Sequence, residues 1–313
     1  MKRVVIFGGG TGLSCVLRGL KLFPVDVTAV IAVSDDGSST GVLKEELDIP
    51  AVGDLGKVLL AMANVDEDFV RLLRYRFEQE GSLHNHPVRN IMLAALIDLK
   101  GDLKSATKYM SKVLNIKGTV LPLSEEKIEL IGHGHDRDYI GQSEVSRHIR
   151  DIEKLAYDHP IHVTPEIIRK ISTADLIIMS PGSLYTSIIP HLIAPDIRAA
   201  IEKTSAPIMY ISNLVTQPGE TDDYSVADHV RVLDQYLGNR KVDVVIANCG
   251  KVDLEISDVY RTKEHKSVVE LDEDSIEELD AEIIADDIVH IDNGSIRHDE
   301  LKTAHLVFSY LMR

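Results

Sequence analysis

A run of four apolar residues, Val4 to Phe7, passes without a spacer into Gly8-Gly9-Gly10-Thr11-Gly12-Leu13-Ser14. This junction sets a glycine-rich turn between a buried strand and a helix of about Leu13 to Leu22, as in an α/β sheet. Glycines let backbone N–H groups approach an anion closely, and the helix that follows turns the positive end of its dipole to the same point. The first ligand suggested is a nucleotide or sugar phosphate, held by Gly9, Gly10, Thr11, Gly12 and the backbone of Leu13.

The better-known glycine loops fit poorly. A G-x-G-x-x-G dinucleotide fingerprint needs a third small residue in register, but Leu13 or Cys15 stands there, which disfavours NAD. A Walker A loop needs Lys-Ser/Thr after its last glycine, and Leu13-Ser14 occupies that place, leaving no lysine for the terminal phosphates of ATP. Gly-Gly-Gly-Thr-Gly also resembles a phosphate loop of the tubulin and FtsZ group, where it lies well inside the domain and not on the first strand.

Apolar, β-branched runs recur at residues 3–7, 25–33, 175–180, 207–212 and 242–248, each followed by a turn and a helical pattern. Such alternation predicts an α/β fold, a Rossmann-like three-layer sandwich around a mostly parallel central sheet. Helices are expected at about 55–63, 67–80, 88–99 and 103–113. The period-2 pattern over 118–131 suggests an antiparallel hairpin within a β-rich insertion at about 117–163. The acidic stretch 270–280 reads as a surface loop or short helix, and 298–312 as an amphipathic helix. With 313 residues, 44% of them apolar, the chain is read as one nucleotide-binding domain over 1–313.

The formal net charge of −16 argues against a nucleic-acid surface. Two cysteines, no signal-peptide pattern and no long apolar run predict a cytoplasmic protein that makes no use of the membrane.

In an open α/β sheet, ligands gather outside the carboxyl ends of the strands, so the residues just after each strand are the candidates. After the second strand come Asp35, Asp36 and Gly37, in Ser34-Asp-Asp-Gly-Ser-Ser-Thr-Gly41. The paired acids suit a sugar hydroxyl or a divalent cation such as Mg²⁺, with Asp35 or Asp36 as its ligand, although Asp-Asp-Gly is also ordinary turn chemistry. Asp54, in Gly53-Asp54-Leu55-Gly56, repeats the pattern of an acid before a helix. The Ser180-Pro-Gly182-Ser183-Leu184-Tyr185-Thr-Ser187 segment reads as a second strand, glycine turn and helix start, so that two N-termini would bracket a diphosphate. Asn213 and Gln217 offer donors and acceptors to a base edge or sugar amide. His84, His86, His133 and His135 lack helical zinc spacing and read as solvated loop residues. Cys15 reads as a small core residue, and no Gly-x-Ser-x-Gly elbow occurs.

Taken in order, Gly-Gly-Gly-Thr-Gly, Asp-Asp-Gly, Gly-Asp, His86-x-x-x-Asn90, Pro-Gly-Ser-Leu-Tyr-Thr-Ser-Ile, Asn-Leu-x-Thr-Gln-Pro-Gly-Glu-Thr and Ile296-Arg297-His-Asp resemble the YvcK-type (GlmR) gluconeogenesis factor family. That family is related to 2-phospho-L-lactate transferase, and the likeness spans nearly the whole chain. The resemblance implies a non-catalytic cytoplasmic regulator that binds a UDP-sugar, UDP-N-acetylglucosamine first among them, and adjusts carbon flow to cell-wall precursors and cell shape. It adds Asn90 and Arg297 to the ligand-binding set and an enzyme of amino-sugar synthesis as a partner, and it leaves a homo-oligomer open. The transferase relatives imply the alternative, a Mg²⁺-dependent transfer from a nucleotide-diphosphate-linked donor. The family pattern carries arginines where Val42 and Gly56 stand and a glycine where Arg89 stands, so two guanidinium groups that would face a diphosphate are missing. Lys57 and Arg89 are the nearest replacements, and an ammonium cannot make the planar fork.

Overall fold

A computed structural model describes all residues, 1–313. Seven parallel strands form the central sheet: β1 (Lys2–Gly8), β2 (Val25–Ile31), β3 (Thr119–Pro122), β7 (Leu176–Met179), β8 (Ile208–Ile211), β9 (Val244–Asn248) and β10 (Glu282–Asp286). Between them in sequence lie β4 (Leu130–Gly134), β5 (Asp138–Ile140) and β6 (Ile152–Tyr157), a separate antiparallel sheet, and after them the hairpin β11 (Val289–Asp292) and β12 (Ser295–His298).

Strand order in the main sheet is β10-β9-β8-β7-β1-β2-β3. Sequence numbers climb in both directions from the β7–β1 boundary, which makes that boundary the topological switch point, where an open α/β sheet leaves a crevice. The strands alternate strictly between two cores, since successive side chains point to opposite faces. Val4 and Ile6 join one buried cluster with helices α1 (Gly10–Leu20), α3 (Gly53–Met62), α5 (Val88–Lys100), α6 (Leu103–Val113) and the C-terminal helix Glu300–Leu311. Val5 and Phe7 join the other, with helices Pro165–Ser172, Pro195–Lys203 and Val226–Tyr236. Two short helices complete the parts that matter for the site: α2 (Ser38–Glu46) and α7 (Gln142–Arg147), the latter on the small antiparallel sheet, with α4 (Glu67–Arg74) preceding α5. No helix is long and apolar enough to cross a membrane.

The hairpin expected over 118–131 does not form. Thr119–Pro122 instead pairs in parallel with β2, Thr28 opposite Thr119, and becomes the sheet edge. The reason is burial on both faces: Val120 enters one core and Leu121 the other, so the segment satisfies a parallel strand better than a half-exposed hairpin. The helix expected over 67–80 ends at Arg74, after which the chain turns back through Arg76, bridged to Pro87.

Candidate functional site

The loop after β1 lies at the switch point. Gly10 has φ of 63°, a left-handed conformation that costs glycine nothing and other residues more. Its carbonyl accepts a 2.7 Å hydrogen bond from Ser14 Oγ. No side chain caps the first turn of α1, so its leading N–H groups have no side-chain partner. Leu13, expected to offer its backbone, is fully buried in the core and does not line the cleft. A β-carbon on Gly12 would collide with the carbonyl of Pro181, so the loops after β1 and β7 touch. Together with the segment after β8 they line a cleft of about 490 Å³ that includes Gly9, Thr11, Gly182, Ser183, Asn213 and Gln217.

The loop after β7 is held from β8. Asn213 Oδ1 accepts from the Gly182 N–H at 2.8 Å, and Asn213 Nδ2 donates to the Gly182 carbonyl at 2.8 Å. The amide expected to read a ligand is thus spent on shaping the loop. Ser183 Oγ donates to Glu220 Oε2 at 2.6 Å, and Gln217 Nε2 and Ser146 Oγ both donate to Glu220 Oε1 at 2.5 Å. Glu220 is 3% exposed, and burial raises its carboxyl above the usual range. It organises three side chains of the site, and sequence reasoning passed over it, although it lies in the same Thr-Gln-Pro-Gly-Glu-Thr run as Gln217. The helix start expected at 184 is a π-turn, Leu184–Ile188, followed by the four-residue helix Ile189–Leu192. Its dipole is correspondingly small. Leu184 is buried in the core, and the Tyr185 hydroxyl lies 3.0 Å from that of Tyr224.

The two acids of Asp-Asp-Gly part company. Asp35 Oδ1 accepts from the Gly37 N–H at 3.0 Å, while Asp36 Oδ1 accepts from Ser143 Oγ at 2.6 Å and its carboxylate from the Ser143 N–H at 3.2 Å. Asp36 therefore ties the loop after β2 to α7. Both acids line a smaller polar recess of about 310 Å³, which shares Ser183 and Gln217 with the main cleft. Asp54, at the start of α3, sets its carboxylate in the space that a side chain at Gly9 would fill and accepts from Lys57 Nζ at 2.9 Å. Burial first, and the charge of Asp54 second, raise the Asp35 carboxyl above its ordinary value. Asn90 is nearly fully buried: its Nδ2 donates to Ser39 Oγ at 3.2 Å and its Oδ1 has no partner. It lies beside Gly56 and outside the main cleft. His86 is buried as well, Nδ1 at 2.9 Å from Ser39 Oγ, and is not the solvated loop residue its sequence suggested.

Cations reach the main cleft from two places. Arg297, on β12, is exposed at the rim and forms no ion pair. Lys266, which sequence reasoning missed, also lines the cleft and donates to Glu264 Oε2 at 2.7 Å. It arrives on a backbone tie, Thr216 N–H to the Ser267 carbonyl at 2.8 Å, that no local sequence pattern announces. Below Arg297, His298 Nε2 donates to the Ser212 carbonyl at 2.9 Å, and burial pulls its pKa down to about 4. Cys15 donates from Sγ to the His298 carbonyl at 3.1 Å, and burial pushes its thiol up to about 11, so it stays protonated and unreactive.

Comparison with known proteins adds the lineage. The family profile described as 2-phospho-L-lactate transferase CofD matches residues 4–289. The gluconeogenesis factor of Bacillus subtilis (strain 168) is 40% identical over 311 residues, 99% of this chain and 98% of that protein. The gluconeogenesis factor of Halalkalibacterium halodurans is 38% identical, over 98% of this chain and 95% of the relative. A crystal structure of a Bacillus halodurans protein described as a member of the UPF0052 family superposes with a TM-score of 0.93 at 37% identity, covering 98% of this chain and 99% of the other.

Proposed function

We propose, because this chain belongs to the CofD family together with the gluconeogenesis factors, that its cleft binds the diphosphate of a nucleotide sugar and that binding serves regulation. The ligand favoured is UDP-N-acetylglucosamine, sensed in the cytoplasm to control carbon flow to cell-wall precursors and cell shape through an enzyme of amino-sugar synthesis. One observation carries the reading: two glycine turns, after the neighbouring strands β1 and β7, meet through Gly12 and Pro181 and face one cleft with Arg297 and Lys266 at its wall. Backbone N–H groups and two cations suit a diphosphate, and the polar recess beyond Ser183 and Gln217 offers hydroxyl and carboxylate partners to a sugar.

The alternative, a Mg²⁺-dependent transferase, draws its support from Asp35 and Asp54. Asp35 Oδ2 stands where a β-carbon on Gly53, the residue before Asp54, would meet it, and two such carboxylates fit Mg²⁺, which takes one or two carboxylates and completes its shell with water and phosphate. Bound there, Mg²⁺ would neutralise charge on the diphosphate. Asp35 and Asp54 would hold it, and Lys57 would balance the pair in its absence.

A thermal-shift panel of UDP-N-acetylglucosamine, UDP, GDP and GTP, each with and without Mg²⁺, tests both. Ligand at 100 times its Kd adds about 2.7 kcal/mol of stability. A response to UDP-N-acetylglucosamine without turnover supports the regulator, a GDP or GTP response that requires Mg²⁺ supports the transferase, and no response to any nucleotide overturns both.

A further inference from the structure

Along the edge strand β3 lies a second groove, of about 510 Å³, that shares no residue with the cleft at the switch point. Residues 118–122 form its floor, α6 is one wall, and Glu166, on the helix Pro165–Ser172, stands on the other. An edge strand presents a row of unpaired N–H and C=O groups. The Leu123 N–H turns inward to the Ile31 carbonyl at 2.9 Å, so alternation along the chain turns the backbone groups of Val120 and Gly118 outward. Pro122, which has no N–H to offer, sits at the end of the strand, on an edge, where proline is tolerated. Proteins commonly blunt such an edge with charge on the strand itself, but Thr119–Pro122 carries none, and Val120 and Leu121 point into the two cores.

The charge stands on the wall instead. From residue 103 to residue 124 the chain holds Lys104, Lys108, Lys112 and Lys117 and no acid, in a protein with a formal net charge of −16. The first three line the groove, against the single acid Glu166. They recur every four residues, which sets them about 6 Å apart along the helix. Alternate side chains of an extended strand stand about 6.5 Å apart on one face. Acids at alternate positions of a strand laid on β3 would therefore meet the lysines in register, and the residues between them would face Glu166, which disfavours acids there.

We infer that this groove docks an extended acidic segment of a partner protein, added to β3 as a further strand with an acid at every second position. The inference stands apart from the nucleotide-sugar reading, whose cleft lies elsewhere.

The probe is a dye-labelled peptide, Gly-Glu-Thr-Glu-Thr-Glu-Gly, titrated against the full chain by fluorescence anisotropy at about 0.15 M salt. Saturable binding is expected, with the amides of Gly118 and Val120 slowed in hydrogen exchange. The isomer Gly-Glu-Glu-Thr-Thr-Glu-Gly, of equal charge, and a version N-methylated along its backbone are each expected to bind at least about tenfold more weakly. The triple variant Lys104→Gln, Lys108→Gln, Lys112→Gln changes only half-buried or exposed side chains and is expected to keep its Tm while losing at least about tenfold in peptide affinity. Should it fail to fold, Lys108→Gln alone, at an exposed position, is expected to weaken the peptide severalfold. A parent that binds no peptide, an isomer or N-methylated peptide that binds as tightly, or lysine variants of unchanged affinity overturn the inference. Oligothymidylate that binds the lysine wall more tightly than the peptide also overturns it, in favour of a nucleic-acid surface. A chain that ignores every nucleotide yet captures the peptide in this pattern would sink the nucleotide-sugar reading and leave the docking groove standing, and a nucleotide response without peptide binding would do the reverse.

Discussion

Arg297 reaches the rim of the cleft with its guanidinium exposed and paired to no carboxylate, so it is spent neither on the fold nor on a neighbour. Arg297→Ala is expected to weaken UDP-N-acetylglucosamine by about 1.5–3 kcal/mol, as for a charged hydrogen bond, while stability changes by less than about 0.5 kcal/mol. Calorimetry on both proteins checks the first number and urea denaturation the second; equal affinity removes Arg297 from the site. Residues of this kind are visible in sequence because they follow a motif. Glu220 is the opposite case: its importance comes from three donors, the nearby Gln217 and two that the chain brings from far apart, Ser146 and Ser183, and a carboxylate at the end of a Pro-Gly turn looks like turn chemistry until they are placed around it. Arg89 was legible only as a departure from a pattern. That the gap at Gly56 and the stem of Arg89 face one another is a contact between helices, which spacing along one chain cannot show.

Among the elements, β1, β2, β7, β8 and β9 were readable because strands buried on both faces must be continuous apolar runs. β3 was misread because a short run of that type, followed by Ser-Glu-Glu and more alternation, looks like half of a hairpin until the strand beside it is known. The β11–β12 hairpin, which carries Arg297, was overlooked although Asn293-Gly294 stands at its turn with φ of 49° and 77°, a strong short-range hairpin pattern. Its strands are rich in His, Asp and Arg, which hid it from a search for apolar runs. The small sheet β5-β4-β6 is tied to the site through α7, by Ser143 to Asp36 and by Ser146 to Glu220. Asp36→Ala is therefore expected to speed amide exchange in α7 and β4–β6 while β1, β7 and β8 keep their protection, as hydrogen-exchange mass spectrometry would read directly. Uniform protection across both sheets would show that the tie is dispensable.

At the scale of the whole molecule, acid is the expected weak point. His191 and His298 are buried, and burial lowers each from its ordinary 6.5 to about 4. A histidine depressed in the folded state binds its proton more readily when unfolded, so its contribution is present above pH 6.5 and is lost as pH falls toward 4. Each accounts for on the order of 3 kcal/mol across that window. His191→Phe, beside the ring of Phe7, is expected to lose less stability than the parent between pH 6.5 and 4 in urea melts, and parallel slopes would refute the assignment. The Asn213 amide has a consequence that only a clock would show. Gripping the Gly182 peptide on both its N–H and its carbonyl, it finishes that wall of the cleft before any ligand arrives. Encounter and capture then become one event: in stopped flow, the observed rate for UDP-N-acetylglucosamine should climb in proportion to concentration without a ceiling. Asn213→Ala, which releases the peptide, should make the same trace bend to a plateau set by how fast the loop finds its shape.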